Sequence, residues 1–331
     1  MKRVGHLIEQ IADLDNLYEA FRKASRGKYE KIEVVRFREN LDENLSLLRR
    51  QILSADVRVG DYHYFTIYDP KKRQICAADF SERVLHHAII NICQPYFDSS
   101  LIDTTYATRK GKGGYAALDK AIWGLSKYDY TLKLDFRKYY DSIDHAVLKS
   151  LLRRKFKDGY LLLIFDKIID SYSIASGKGL PIGNLTSQYF ANAYLSRLDH
   201  YVKEQLGAPL YIRYMDDILI AGYNKEDLKR IYALLNDYAK RVLLLELKPP
   251  VFRTSREGQV FLGYLVKPYR CELSGRSKKR FRRKLLEYNR KLSTGKWHEQ
   301  TYQEHILPLL AFVNHATSKN FRQSCLDLMR G

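Results

Sequence analysis

Residues 211–222, YIRYMDDILIAG, set two consecutive aspartates between two apolar runs. Both runs are rich in β-branched and aromatic residues, so the segment predicts a β-hairpin with Asp216 and Asp217 at its tip. Adjacent carboxylates repel, and gathering them at the end of a hydrophobic hairpin calls for a cation. A third carboxylate, Asp135, closes the strand-like segment TLKLDF (131–136). Any one of these aspartates, taken alone, reads as a turn or N-cap residue. Three on rigid strands match two-metal phosphoryl transfer, in which carboxylates hold two Mg²⁺ ions about 3.5–4 Å apart. One ion sharpens an attacking hydroxyl and the other neutralises a leaving pyrophosphate.

Around these strands the chain reads as helices and short strands. Leu7, Ile8, Ile11, Leu14, Leu17 and Tyr18, then Leu41, Leu45, Leu47, Leu48 and Ile52, recur at three- and four-residue steps, which predicts helices through residues 1–60. YHYFTIYDPKKRQIC (62–76) predicts two strands around an Asp-Pro turn, and SERVLHHAIINICQPYF a helix broken at Pro95. RKGKGG (109–114) is a flexible basic loop ahead of a helix over 115–126. Helix is also predicted over 144–170, then a Gly/Pro-punctuated loop over SGKGLPIGN (176–184), then one long amphipathic helix from Thr186 to Leu206. A helix over 225–240, strands at VLLLEL (242–247) and QVFLGYLV (259–266), and a basic helical tail complete the pattern. This order of elements predicts an α+β class.

Charge narrows the partner. The chain carries 57 Lys+Arg against 38 Asp+Glu, a net charge of +19. Self-repulsion of that size is relieved by a polyanion, which points to nucleic acid. No stretch approaches about 18 consecutive apolar residues, and the N-terminus lacks a signal-peptide core, so no membrane association is expected. Cys76, Cys93, Cys271 and Cys325 are scattered without CxxC spacing, which speaks against a zinc site or disulfide framework and fits a reducing cytoplasm. The 26 tyrosines, set among many cations, suit surfaces that stack on bases. RSKKRFRRKLLEYNRK (276–291) holds nine Lys/Arg against one Glu. Phe281, Leu285, Leu286 and Tyr288 give it an apolar side. Its cationic side, with Arg280, Arg282, Arg283 and Lys284, either straddles a template–primer backbone or is a solvated helix face.

Tyr214-Met215-Asp216-Asp217, together with Asp135 followed by FRKYYDSIDH, resembles the palm of reverse transcriptases. The likeness is strengthened by GLPIGNLTSQYFANAYL (179–195) between them and by Phe261-Leu262-Gly263-Tyr264 behind them. ERVLHHAI (82–89) and RKGKGG resemble finger-region motifs of bacterial members, so the resemblance covers residues 60–270. Most of that family has Gln-Gly where this chain has Ile182-Gly183, and Ser-Pro where it has Ser187-Gln188. The form IGNLTSQ resembles the enzymes of diversity-generating retroelements, which copy a template-repeat RNA with frequent errors at adenines. Those enzymes are short and lack nuclease, RNase H and maturase domains.

The resemblance implies a right-hand polymerase: N-terminal helices and fingers over 1–128, a palm with an antiparallel sheet over 129–270 (with finger elements at 148–184), and a small basic helical thumb over 271–331. It implies RNA-directed DNA synthesis from dNTPs on an RNA template with an RNA/DNA primer-template, in the cytoplasm of a bacterial or phage-infected cell. A small basic accessory protein is the expected partner. Alternatives are a retron-like or other stand-alone bacterial reverse transcriptase, or a non-catalytic RNA-binding splicing cofactor. Three intact aspartates speak against the last.

Carried over residue by residue, the resemblance makes Asp135, Asp216 and Asp217 the catalytic set. With the backbone carbonyl of Phe136 they hold two Mg²⁺ ions, for which Mn²⁺ can substitute. Arg73, Lys71, Arg137, Tyr139, Tyr140, Ile182, Gln188 and Met215 fall at the incoming nucleotide. Tyr140 matches a gate that excludes a 2′-hydroxyl, or else packs in the palm core. Ile182 offers only van der Waals contact where a glutamine could hydrogen-bond, or else packs under the palm. Arg109, Lys110 and Lys112 join the thumb cations on nucleic acid. Lys248, in LELKPPVF, lies slightly early for the family's proton donor to pyrophosphate.

Overall fold

The structure, a computed structural model, describes residues 3–68 and 72–330, with side chains as far as Cys325. The Asp69-Pro70 turn and Lys71 lie outside the described residues. The chain forms two compact units that interleave along the sequence. The first comprises Met1–Asp103, Phe136–Tyr201 and Leu235–Glu246, and the second Thr104–Asp135, Val202–Leu234 and Leu247–Gly331. The loop and helix that follow Asp103 therefore belong with the sheet that carries the aspartates, as does the basic tail.

In chain order, α1 (Ile8–Ile11), α2 (Leu14–Ser25), α3 (Ile32–Glu39), α4 (Leu41–Leu53), β1 (Tyr62–Ile67), β2 (Arg73–Ala78) and α5 (Phe80–Asp98) precede α6 (Gly114–Lys127) and β3 (Tyr130–Leu134). Next come α7 (Tyr139–Ser142), α8 (His145–Lys155), α9 (Gly159–Asp170), α10 (Leu185–Tyr194), α11 (Ser196–His200), β4 (Leu210–Tyr214), β5 (Asp217–Gly222) and α12 (Lys225–Val242). β6 (Val251–Thr254), β7 (Gln259–Phe261), β8 (Tyr264–Lys267), β9 (Arg270–Leu273), α13 (Gly275–Ser293), α14 (Glu299–Asn314) and α15 (Lys319–Arg330) complete it.

The first unit is built on α5, whose Val84, Leu85, Ala88, Ile89, Ile90, Cys93 and Phe97 are all buried. A helix apolar on most of its circumference must be wrapped by others, here α2 and α10 among them. Phe97, Phe156, Phe165 and Phe190 meet with ring centroids 5.3–6.4 Å apart. Pro95 does not break α5, contrary to the sequence expectation. It removes a single N–H in the last turn, and the burial of Cys93 and Phe97 holds the helix past it. β1 and β2 form an antiparallel hairpin, with Tyr62 opposite Ala78 and Ile67 opposite Arg73.

Three further expectations fail for local reasons. QVFLGYLV, expected as one strand, is two antiparallel strands, β7 and β8, turned at Leu262 and Gly263. The single helix predicted over 186–206 is interrupted after Tyr194 and ends in a π-type turn over Tyr201–Gln205. Ser196 Oγ donates back to the Ala193 carbonyl at 2.7 Å, a bond that competes with the helix ladder. VLLLEL is not a strand: α12 runs through Val242, and Leu244 takes a φ of 53°. Pro249 and Pro250 cannot donate to a ladder, so the strand begins only at Val251.

The second unit carries a four-stranded antiparallel sheet in the order β4-β5-β3-β6, and a smaller one in the order β7-β8-β9. In the larger sheet Leu134 lies opposite Ile218 and Tyr214 opposite Asp217. That register brings the end of β3, where Asp135 follows, beside the start of β5. Ala117, Ala121 and Leu125 of α6, Ile212 and Leu219 of the sheet, and Phe281 and Leu285 of α13 share one apolar core. Leu286, expected on the apolar side of α13, is 53% exposed. No helix among the described residues is long and apolar enough to cross a membrane.

Candidate active site

β4 and β5 are joined by a two-residue loop, Met215–Asp216. Tight hairpin loops need positive φ to match the twist of their strands, and Met215 supplies it at 54° with no glycine to relieve the strain. Arg213, fully buried in β4, holds the loop by donating from Nη1 to the Met215 carbonyl at 2.9 Å. A lone charge inside an apolar strand must be paired, and that was the sequence signal for Arg213 that went unread.

Each carboxylate has its own surroundings. Burial, then the negative charge of Asp135, pushes the Asp216 carboxyl from 3.8 up to about 6. The Asp135 carboxylate lies near enough to Asp216 for its charge to add to that rise. Two carboxylates so placed need a proton or a cation between them. Asp135 also accepts from Lys248 Nζ at 2.6 Å, and the Lys248 N–H donates to the Asp135 carbonyl at 2.8 Å. Asp217 forms an ion pair with Lys133. Burial raises its pKa, and Lys133, then the Leu262 backbone nearby, offset part of the rise.

Leu262 and Gly263 make the β7–β8 turn, both at positive φ, 49° and 90°. This turn sets the Leu262 backbone near Asp217, a role for FLGY that sequence reading missed. Lys133 was missed as well, although it is the one charge in the apolar stretch before Asp135.

The donor set suits a hard divalent ion in kind, since it consists of carboxylate oxygens, and such an ion would compete with Lys248 and Lys133 for them. Among the described residues, no group of three or more Asp, Glu, His or Cys side chains is gathered as a metal cage. Asp135 raises the cost of ionising Asp216, while Asp217 is paired with Lys133.

A stability test follows from the raised Asp216 carboxyl. Between pH 3.8 and about 6 the folded protein binds this proton more tightly than the unfolded chain does. Stability from this group is therefore lost as pH rises through that window. Asp216→Asn should melt at a higher temperature than the parent above pH 6, with the gap closing near pH 4. Mg²⁺ should raise the parent more than the variant. A gap that stays flat across this range would mean that Asp216 titrates normally.

The other expected residues fall within one unit or the other. In the first unit Arg73 is exposed at the start of β2. Arg137 is exposed and pairs with Glu246 at 2.9 Å. Tyr139 is buried, with its hydroxyl donating to the Ala191 carbonyl. Tyr140 is half-buried, and its carbonyl accepts from the Leu180 N–H at 2.9 Å. Ile182 is half-buried, with its carbonyl accepting from the Cys76 N–H at 2.8 Å, and Gln188 is exposed on α10. Phe136 is buried, its ring 5.7 Å from that of Tyr139. The Tyr140 turn, the Ile182 loop and β2 are thus laced together by backbone hydrogen bonds.

In the second unit Arg109 donates to Thr105, Lys110 is exposed, and Lys112 lies 5.2 Å from the Tyr106 ring. Arg282 and Arg283 are exposed on α13, with Arg280 and Lys284 half-buried beside them. The Arg282 guanidinium lies 5.2 Å from the Phe321 ring.

An antiparallel α+β sheet with acidic residues at a strained hairpin tip and at the neighbouring strand end belongs to the class of polymerase palms. Residues 68–255 match the family described as reverse transcriptase (RNA-dependent DNA polymerase), and the chain belongs to that family. It is similar to protein YkfC of Escherichia coli strain K12, 22% identical over 227 residues, covering 61% of this chain and 58% of that protein. It is also similar to the group II intron-encoded protein LtrA of Lactococcus lactis subsp. cremoris, 22% identical over 138 residues, covering 40% of this chain and 23% of that protein. The chain thus spans 58% or less of these relatives. Among solved structures it is similar to apo telomerase from Candida tropicalis truncated from its C-terminal domain, with a TM-score of 0.48 and 14% identity, covering 64% of this chain and 55% of that one.

Proposed function

We propose that the chain is an RNA-directed DNA polymerase that makes adenine-mutagenic cDNA from a template-repeat RNA. The placing of Asp135 at the end of β3 beside the Asp216 hairpin tip carries the polymerase reading, because neighbouring carboxylates are stabilised by the divalent ions that nucleotidyl transfer uses. Asp135 and Asp216, with the Phe136 carbonyl, would hold the ions, which when bound neutralise charge on the triphosphate. Asp217, paired with Lys133, orients the hairpin tip.

In the reaction the primer 3′-hydroxyl attacks the α-phosphorus, a phosphodiester bond forms, and pyrophosphate leaves. Lys248 neutralises Asp135. Arg73, Arg137 and Gln188 line the nucleotide. The cations of 109–112 and of α13 follow the template–primer backbone. A small basic accessory protein completes the working enzyme. The domains in this reading are N-terminal helices and fingers over 1–128, a palm over 129–270 with finger elements at 148–184, and a basic helical thumb over 271–331. Within the first, the part after Asp103 groups with the palm sheet.

Ile182 supports the mutagenic form. Its half-buried side chain is apolar and can offer a nucleotide only van der Waals contact. A hydrogen bond absent at that contact is worth about 0.5–1.5 kcal/mol, up to roughly tenfold in selection. Similarity to an intron-encoded protein supports a second reading, a reverse transcriptase without adenine-directed errors. The two part company in the error spectrum. On a template containing all four bases, the parent should misincorporate opposite adenine above other positions, and Ile182→Gln should lower that rate by about two- to tenfold. A parent error rate that is even across the four bases supports the second reading.

A further inference from the structure

Asn184 occupies the N-cap position of α10, where an asparagine side chain ordinarily accepts from the first helix N–H groups. Here it makes no cap. Its Nδ2 instead lies 3.3 Å from the Tyr62 hydroxyl in β1, although Asn184 is only 3% exposed. The same hydroxyl lies 2.7 Å from Ser171 Oγ, and Ser171 Oγ donates to the Ile168 carbonyl of α9 at 2.8 Å. A serine has one proton to give, so Tyr62 donates to Ser171 and accepts from Asn184. The result is a directed relay running Asn184, Tyr62, Ser171, Ile168. Burial raises the Tyr62 pKa and keeps its proton in place.

On its other side the same loop lies flat on β2. The Ile182 carbonyl accepts from the Cys76 N–H at 2.8 Å. Gly183 sits at a φ of 137°, and a Cβ there would fall 2.5 Å from the Cys76 carbonyl oxygen. The loop is therefore gripped twice by the hairpin, through its backbone at β2 and through a side chain at β1. A local helix-capping preference has been given up to make the second grip. Such departures concentrate where function sets the geometry.

We propose that Tyr62 is a positioning residue for nucleotide selection, anchoring through Asn184 the loop that presents Ile182. This rests on the reading of Ile182 given above. Tyr62→Phe keeps the ring, which packs 6.3 Å from Tyr64 and 6.1 Å from Tyr172, and removes only the relay. A loosened loop relaxes selection. Misincorporation per nucleotide should rise by about two- to tenfold, the range that one hydrogen bond commands. Asn184→Ala should do the same, and the double variant should add nothing to either single change, because both cut one link.

The measurement is sequencing of cDNA from parent, Tyr62→Phe, Asn184→Ala, the double variant and Ile182→Gln on one template. A purely structural role for Tyr62 would lower yield and melting temperature while leaving errors per nucleotide at the parental level, and that result overturns the proposal. If Ile182→Gln moves the error rate and Tyr62→Phe does not, the positioning role is wrong and the Ile182 reading stands. If neither moves it, the Ile182 reading fails and takes the proposal with it.

Discussion

Asp216→Asn should reduce RNA-templated DNA synthesis by about 10²–10³-fold or more while RNA binding persists. The substitution keeps the size of the side chain and deletes one negative charge from a site whose chemistry is charge stabilisation. Asparagine also brings no charge with which to hold a cation beside Asp135. The hairpin survives the change, because Arg213 holds the Met215 carbonyl independently of the residue at 216. Loss of activity should accompany a gain in stability at neutral pH, since the variant is relieved of a buried carboxylate. Single-turnover primer extension in Mg²⁺, read beside filter binding of the same RNA, separates chemistry from binding. Extension by the variant within a few-fold of the parent would overturn the assignment of Asp216 to the reacting centre.

Tyr140→Ala should open synthesis to ribonucleotides, shifting the rNTP-to-dNTP ratio by roughly 100-fold. The structure separates two neighbouring tyrosines that look equivalent in FRKYYDS. Tyr139 is 3% exposed and its hydroxyl is committed to the Ala191 carbonyl. Tyr140 is half-buried, tethered by its carbonyl to Leu180 and set edge-on to Tyr139 with ring centroids 5.9 Å apart. Only Tyr140 keeps part of its ring outside the core, as a steric gate must. Tyr139→Phe should instead strand the Ala191 carbonyl and cost about 1–3 kcal/mol of stability without changing sugar choice. Extension with rNTPs and dNTPs on one template checks both. An unchanged ratio for Tyr140→Ala returns that ring to core packing.

Much of this molecule is written locally. Apolar periodicity located the helices of residues 1–60, the strand before Asp135 and the hairpin around Asp216 and Asp217. Those signals depend on neighbours within a turn or a strand, and short-range geometry is what a sequence displays directly. Net charge and the IGNLTSQ segment are likewise read without coordinates. Errors came where a local preference was outvoted. Pro95 sits inside a helix because the surrounding turn is buried, and VLLLEL alternates without a ladder because two prolines delay the strand.

What the chain could not display was partnership across distance. Lys133, Lys248 and Arg213 each neutralise or hold part of the hairpin site, and none announces itself as a motif. Which cation meets which carboxylate depends on strand register, and register is set by the packing of whole elements. The relay from Asn184 to Ile168 is of the same kind, since a capping residue is expected to cap until a tyrosine from another strand arrives to claim its amide. By itself the sequence determined where the carboxylates and apolar faces lie. The tertiary structure alone decided what each carboxylate is bonded to, because buried charges are satisfied only by groups that folding brings within hydrogen-bonding distance.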